Sequence, residues 1–235
     1  MASSKAPLCL ITGASRGIGA AAAVRFAKEG YELILVARDK AGLEATDDAV
    51  RAAGGKAFLV QLDLADSAQI EQLASVVFER YGKLDVLVAN AGVLGEITPI
   101  ADSTPAEWDK TMTINVTANM HLIRCFDPLL KRAENPRAMF VTSGITEAIY
   151  PYWNAYAVSK CALDMIVKLY AAENEKTPLR ANLISPGIVR TRMRAQAMPG
   201  EDPDSLTPPE AMVDIFTELA SPALKETGKV FYAQN

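Results

Sequence analysis

Two side chains four residues apart, Tyr156 and Lys160 in the stretch NAYAVSK, have the types needed for acid–base work. In a helix this spacing stacks both on one face, with Cβ atoms about 5–6 Å apart. A phenol of pKa about 10 is a poor base at neutral pH, but a neighbouring ammonium favours the phenolate and lowers that value. Such a tyrosine gives or takes a proton at a substrate oxygen while a nicotinamide gives or takes hydride. Taken alone, the pair fits a chance meeting on a helix surface equally well.

The turn TGASRGIG, residues 12–19, supplies a second chemical signal. Gly13, Gly17 and Gly19 allow a tight turn and close backbone approach, so that N–H groups at a helix start can face a pyrophosphate. Its TGxxxGxG spacing meets neither GxGxxG nor the GxxxxGK(S/T) of a phosphate loop, and a turn without ligand also needs glycine. The next strand ends VARD, with Ala37 where a carboxylate would bind ribose hydroxyls and Arg38 following. Arg38 and Arg16 together offer the forked charge that a 2'-phosphate favours, which predicts NADP(H) preferred over NAD(H). Two solvated surface arginines are the plainer alternative, and a shift of the strand end by one residue would bring Asp39 into play.

These motifs need elements to hold them. Apolar runs of strand length at 8–12, 32–37, 57–62, 84–89, 138–142 and 181–185 alternate with helical stretches near 18–29, 40–53, 67–81, 105–131, 154–175 and 208–220. Runs apolar on both faces suit a parallel sheet covered by helices on each side. The expected fold class is therefore α/β, a single Rossmann-type doubly wound domain spanning 1–235. Residues 186–209, rich in Pro and Gly, predict a lid loop beyond the carboxyl end of the sixth strand, where such sheets bind ligands.

Composition narrows the partners. Half of the 235 residues are apolar, 22% are charged and the net charge is -4, with no dense Lys/Arg run. That argues against nucleic acid or an anionic membrane and for a small molecule. No apolar run reaches the about 18 residues of a membrane span, and the stretch before Gly13 is too short for a signal sequence, so a cytoplasmic location is expected. Cys9, Cys125 and Cys161 are scattered and odd in number, predicting free buried thiols rather than a disulfide or zinc site. His121 has no second histidine and is expected to be structural, and no metal is called for.

TGASRGIG, NAG at Asn90 to Gly92, Asn115, Ser143, YAVSK and the Pro186–Gly187 pair occur in the order and spacing of the short-chain dehydrogenase/reductase family, and the resemblance covers nearly the whole chain. The stretch RTRMRAQAMPGEDP is similar to that of a little-characterised bacterial branch of oxidoreductases. The resemblance implies Tyr156 as acid/base, Ser143 as hydrogen-bond partner of the substrate oxygen, and Asn115 as anchor of a water in a proton relay. Lys160 would hold the nicotinamide ribose and lower the tyrosine's pKa. For the cofactor it implies Gly13, Ser15, Arg16, Gly17, Ile18 and Gly19 in the turn, and Arg38 at the adenosine phosphate. Asp63 would cap the adenine beside Leu64, with Asn90, Ala91 and Gly92 after the fourth strand. Pro186, Gly187, Ile188 and Thr191 would meet the carboxamide and phosphates. Ala89 replaces a usual asparagine, and GKVFYAQN stands where the family often has DGG. Related proteins pair helices equivalent to 105–131 and 154–175, which implies a homodimer or homotetramer.

The expected pocket residues Val93, Leu94, Ile145, Tyr150, Tyr152, Trp153, Ile188 and Met193 are largely apolar or aromatic, so a hydrophobic carbonyl or alcohol substrate is predicted. Several of them would equally serve to pack loops. Arg190, Arg192 and Arg194 alternate along the lid, either solvated or drawing an acidic group. Two rivals stand beside this oxidoreductase: a nucleotide-binding protein of the same fold without significant turnover, and a methyltransferase using the glycine turn for S-adenosylmethionine.

Overall fold

A strand that is apolar at every position needs cover on both faces, because successive side chains point to opposite sides. In the computed structural model, which describes residues 6–234, β1 (Leu8–Thr12) meets that requirement. Leu8 and Leu10 enter one core; Cys9 and Ile11 enter the other. Seven strands form one parallel sheet: β1, β2 (Glu32–Ala37), β3 (Lys56–Gln61), β4 (Val86–Ala89), β5 (Arg137–Val141), β6 (Arg180–Ser185) and β7 (Val230–Tyr232). Their order is β3-β2-β1-β4-β5-β6-β7, so the sheet reverses direction of growth between β1 and β4.

One face is covered by α1 (Gly17–Lys28), α2 (Lys40–Ala52) and the short α8 (Asp214–Leu219), through residues such as Phe26, Leu43 and Phe216. The other is covered by α3 (Ser67–Tyr81), α5 (Ala118–Leu130) and α6 (Asn154–Glu173), through Ile70, Phe126 and Val167. Asp39 and Asp66 cap α2 and α3 by accepting from backbone N–H groups of the first turn, and α3 stops at Gly82 with φ 76°. The doubly wound α/β architecture is as expected.

The structure departs from the expected elements in four places. The helix expected over 105–131 is interrupted: α4 (Pro105–Met112) and α5 flank a π-helical turn at Thr113–Thr117. The stretch 208–220 is a 3-10 turn at Pro209–Ala211 followed by α8. The expected lid loop 186–209 carries α7 (Arg192–Ala197) and a 3-10 turn at Pro203–Ser205, and Val189 bridges Thr207. β7 was not expected, since three residues carry no readable alternation. The buried Asn182 amide secures its approach by donating to Glu226 O (2.9 Å) and accepting from Lys229 N (3.0 Å).

Cys9 is buried as expected, but Cys125 is only half-buried and Cys161 is exposed. Cys161 lies on the outward face of α6, one position beyond the inward Lys160. Among the described residues no helix is long and apolar enough to cross a membrane.

Phe140 on β5 is fully buried. Phe140→Ala should cost about 3–5 kcal/mol of unfolding free energy, because the removed ring leaves a cavity the sheet cannot close. Urea unfolding checks this, with the midpoint falling and the slope unchanged.

Candidate functional site

Parallel strands present all their carboxyl ends at one edge, and the edge is open where the order reverses. Gly13 follows β1, Arg38 follows β2, Asp63 lies just after β3, Asn90 follows β4, Ser143 lies just after β5 and Pro186 follows β6. One topological fact thus gathers motifs spread over some three-quarters of the chain.

The loops at this edge are stitched together by side chains. Asn90 Nδ2 donates to the carbonyls of Thr12 (3.0 Å) and Gly13 (3.3 Å), while Thr12 Oγ1 accepts from Asn90 N and Ala91 N, both at 3.1 Å. Gly13 has φ +67°, and a Cβ there would lie 2.9 Å from Ala91 Cα. A Cβ on Gly19 would lie 2.3 Å from the Gly13 carbonyl, so α1 packs against its own turn only with glycine at that position. Asn90 acts here as the tie that shapes the glycine turn.

α1 begins at Arg16 without a side-chain acceptor, unlike α2 and α3. Its leading N–H groups are therefore the donors that suit a phosphate. Across the cleft, a Cβ on Gly17 would meet Thr191 Cγ2 at 3.5 Å, which brings the start of α7 opposite the glycine turn. Glycine turn, uncapped helix start and facing threonine together fit a dinucleotide, which Gly13, Ser15, Gly17, Ile18, Asn90 and Thr191 could hold. Arg16 pairs with Asp39, and Arg38 lies 3.7 Å from Asp63. Asp39 thus enters as the partner of Arg16 and the cap of α2, while both guanidiniums remain more than half exposed. Leu64, just beyond Asp63, is partly buried against the core.

Tyr156 and Lys160 lie on one face of α6, both buried, with Lys160 Nζ 5.8 Å from the tyrosine ring centroid. Lys160 Nζ donates to the Val141 carbonyl at 2.8 Å. Loss of water pushes its pKa down to about 8, against the pull of the buried Asp164. Burial likewise pushes the Tyr156 hydroxyl up, opposed by a hydrogen bond with Ser143. This differs from the expected lowering by Lys160: desolvation of the phenolate is the larger effect.

Asn115 sits in the π-helical turn, fully buried. Its amide accepts from Val93 N and donates to Val93 O and Ser159 Oγ, each at 2.9 Å. Its carbonyl accepts from Asn119 Nδ2 at 2.8 Å. The side chain expected to anchor a water thus joins the loop after β4, including Gly92, to α6. Ser159, which sequence reasoning missed, completes that join by donating to the Tyr156 carbonyl at 2.8 Å. Asp164, also missed, accepts from Thr142 Oγ1 beside Ser143. Its signal was present, four residues beyond Lys160 on the same helical face.

Of the expected pocket residues, Leu94 and Ile145 pack with Tyr156, joined by Trp153 and Met193. Tyr150, Tyr152 and Ile188 are at least half exposed and do not join that cluster. Tyr152 has φ 74°, a left-handed conformation that costs a tyrosine energy; its carbonyl accepts from Thr98 N at 3.0 Å and ties two rim loops. On the lid, Arg190 pairs with Asp204 and Arg194 with Glu201, leaving Arg192 as the member of that trio without an ion pair among the described residues.

Residues 7–202 match the family described as short chain dehydrogenase. The uncharacterized oxidoreductase YciK of Escherichia coli K12 is 33% identical over 231 residues, covering 97% of this chain and 91% of that one. The benzil reductase ((S)-benzoin forming) of Saccharomyces cerevisiae is 34% identical, covering 89% and 81%. Among solved structures, a short chain dehydrogenase from Shigella flexneri 2a strain 301, complexed with NADP, superposes with a TM-score of 0.92 at 34% identity, covering 97% of each chain.

The depressed lysine makes stability pH-dependent. An unfolded lysine titrates at about 10.4, whereas burial brings Lys160 in the folded chain down to about 8. Between those values the unfolded chain binds the extra proton, so this group's contribution to stability rises with pH. Lys160→Met lacks the effect. From pH 7 to 10 the unmodified protein should gain on the variant by on the order of 2 kcal/mol in urea unfolding.

Proposed function

Because the chain belongs to the short-chain dehydrogenase/reductase family, we propose that it is an NADP(H)-dependent oxidoreductase that interconverts a carbonyl and an alcohol, with Tyr156 as acid/base. The observation that carries this reading is the buried pair Tyr156 and Lys160 on one face of α6, beside Ser143 and at the open edge of the sheet.

A bound dinucleotide would supply or accept the hydride. The remaining work falls to the chain. Tyr156 is protonated at neutral pH, as a phenol ordinarily is, and burial pushes it further the same way; that is the form that gives a proton to a nascent alkoxide. The Ser143 hydroxyl hydrogen-bonds the same substrate oxygen and holds it against the phenol. The Lys160 ammonium, fixed on the Val141 carbonyl, favours the phenolate left after transfer and would be the donor to the ribose hydroxyls of a bound dinucleotide. Asn115 keeps the loop after β4 in place against α6.

NADP(H) over NAD(H) is supported by Arg16 and Arg38, by Ala37 in place of a carboxylate, and by the NADP held in the Shigella structure. The ion pairs of both arginines are exposed and weak, so a dianionic phosphate can displace the carboxylates. A hydrophobic ketone or diketone fits the apolar group Leu94, Ile145, Trp153 and Met193, and the benzil reductase acts on a substrate of that kind. Exposed Met120, Met165 and Leu169, at 41%, 57% and 55%, together with α5 and α6, support a homo-oligomer paired through these helices.

Tyr156→Phe should lower kcat/KM on an aromatic diketone about 100- to 10,000-fold while NADPH still binds. Retention of more than about a tenth of the rate would remove Tyr156 from the role, and binding without any turnover in the unmodified protein would favour the nucleotide-binding alternative. Arg38→Asp should shift preference from NADPH toward NADH, read by fluorescence titration of both. Light scattering at micromolar concentration should give at least twice the mass of one chain.

A further inference from the structure

The segment GKVFYAQN, residues 228–235, carries a contact that none of the roles above uses. β7 pairs with β6, and one residue further Ala233 N donates to the Ser185 carbonyl at 3.0 Å. The sheet thereby delivers Gln234 to the root of the lid. Its Nε2 donates to the carbonyls of Pro186 (2.8 Å) and Ile188 (3.2 Å), and its Oε1 accepts from Thr207 Oγ1 at 3.0 Å. Pro186 and Ile188 lie where the lid leaves β6, and Thr207 lies where it returns.

One side chain therefore ties both ends of a segment of about twenty residues. The backbone is shaped around it: Gly187 has φ +74°, and a Cβ there would lie 3.0 Å from the Gln234 amide. The two lid ends also meet directly, Arg190 N donating to Thr207 O at 2.8 Å. Thr191 follows at once, caps α7 and faces Gly17 of the glycine turn.

We propose that Gln234 is a positioning residue, a latch whose amide holds the neck of the lid closed and so sets Ile188 and Thr191 in place for the cofactor and substrate. The link to the cofactor rests on the oxidoreductase reading above; the latch itself does not. Both nitrogen-bound hydrogens are committed to carbonyls, so an amide is required and a carboxylate of the same size fails.

Two measurements separate the questions. Hydrogen exchange on the cofactor-free protein reads the latch. In Gln234→Ala and in Gln234→Glu, the Arg190 amide and its neighbours should lose protection about tenfold, while amides of β1, β2 and β4 keep theirs. Thr207→Val, which breaks only the distal bond, should lose less. Unchanged protection at Arg190 in Gln234→Ala, or full protection in Gln234→Glu, overturns the proposal. Titration and turnover with NADPH then read the consequence: Kd and KM for NADPH should rise about tenfold in Gln234→Ala with kcat within about threefold. An unchanged KM in a protein that turns over overturns the positioning role. If the unmodified protein binds no NADPH, the oxidoreductase reading fails and the exchange data still judge the latch.

Discussion

Everything at the candidate site follows from a sheet whose strands are all parallel and buried on both faces. Such strands need a helix on the return path, so every βα loop emerges at the same edge. With β1 lying between β2 and β4, the loops on its two sides turn away from one another and leave a crevice. The glycine turn and NAG pack together beside it, and Asn90 joins the two with its amide. The local oddities are consequences: a Cβ has no room at Gly13 or Gly19 because two loops and a helix start converge there.

The same enclosure governs the electrostatics. Burying a lysine ammonium and a phenol side by side raises the cost of ionising each, and both shifts run in the direction that disfavours charge. The fold offsets this with fixed dipoles, the Val141 carbonyl on Lys160 and Ser143 on Tyr156, and with the charge of Asp164 further along α6, held by Thr142. A tyrosine held in this way keeps its proton at neutral pH. The π-helical turn belongs to the same design. By shifting the helical phase between α4 and α5 it commits Asn115 to Val93 and Ser159, so that the loop after β4 is hydrogen-bonded to the face of α6.

Much of this was legible in the residues. Continuous apolar runs announce buried parallel strands, because no half-exposed strand tolerates them, and six of the seven were placed within two residues of their observed starts. Tyr156 and Lys160 could be put on one face from spacing alone, since helical geometry is local. Glycine positions forecast the turn for the same reason: the conformations they permit depend on one residue at a time.

What depends on contacts between distant segments was not legible. β7 is three residues long and exists because Asn182 and the edge of β6 receive it. The break at Thr113–Thr117 answers to Val93 and Ser159, which lie 22 and 44 residues away from Asn115. Arg16 and Arg38 could be singled out as candidates for a phosphate, but their pairing with Asp39 and Asp63 required the strand ends to be adjacent. The order of the strands, the direction of the Tyr156 shift and the reach of Gln234 to both ends of the lid share one cause. Each is set by burial and proximity across the sheet, quantities that arise when the chain closes on itself and that no short window of residues contains.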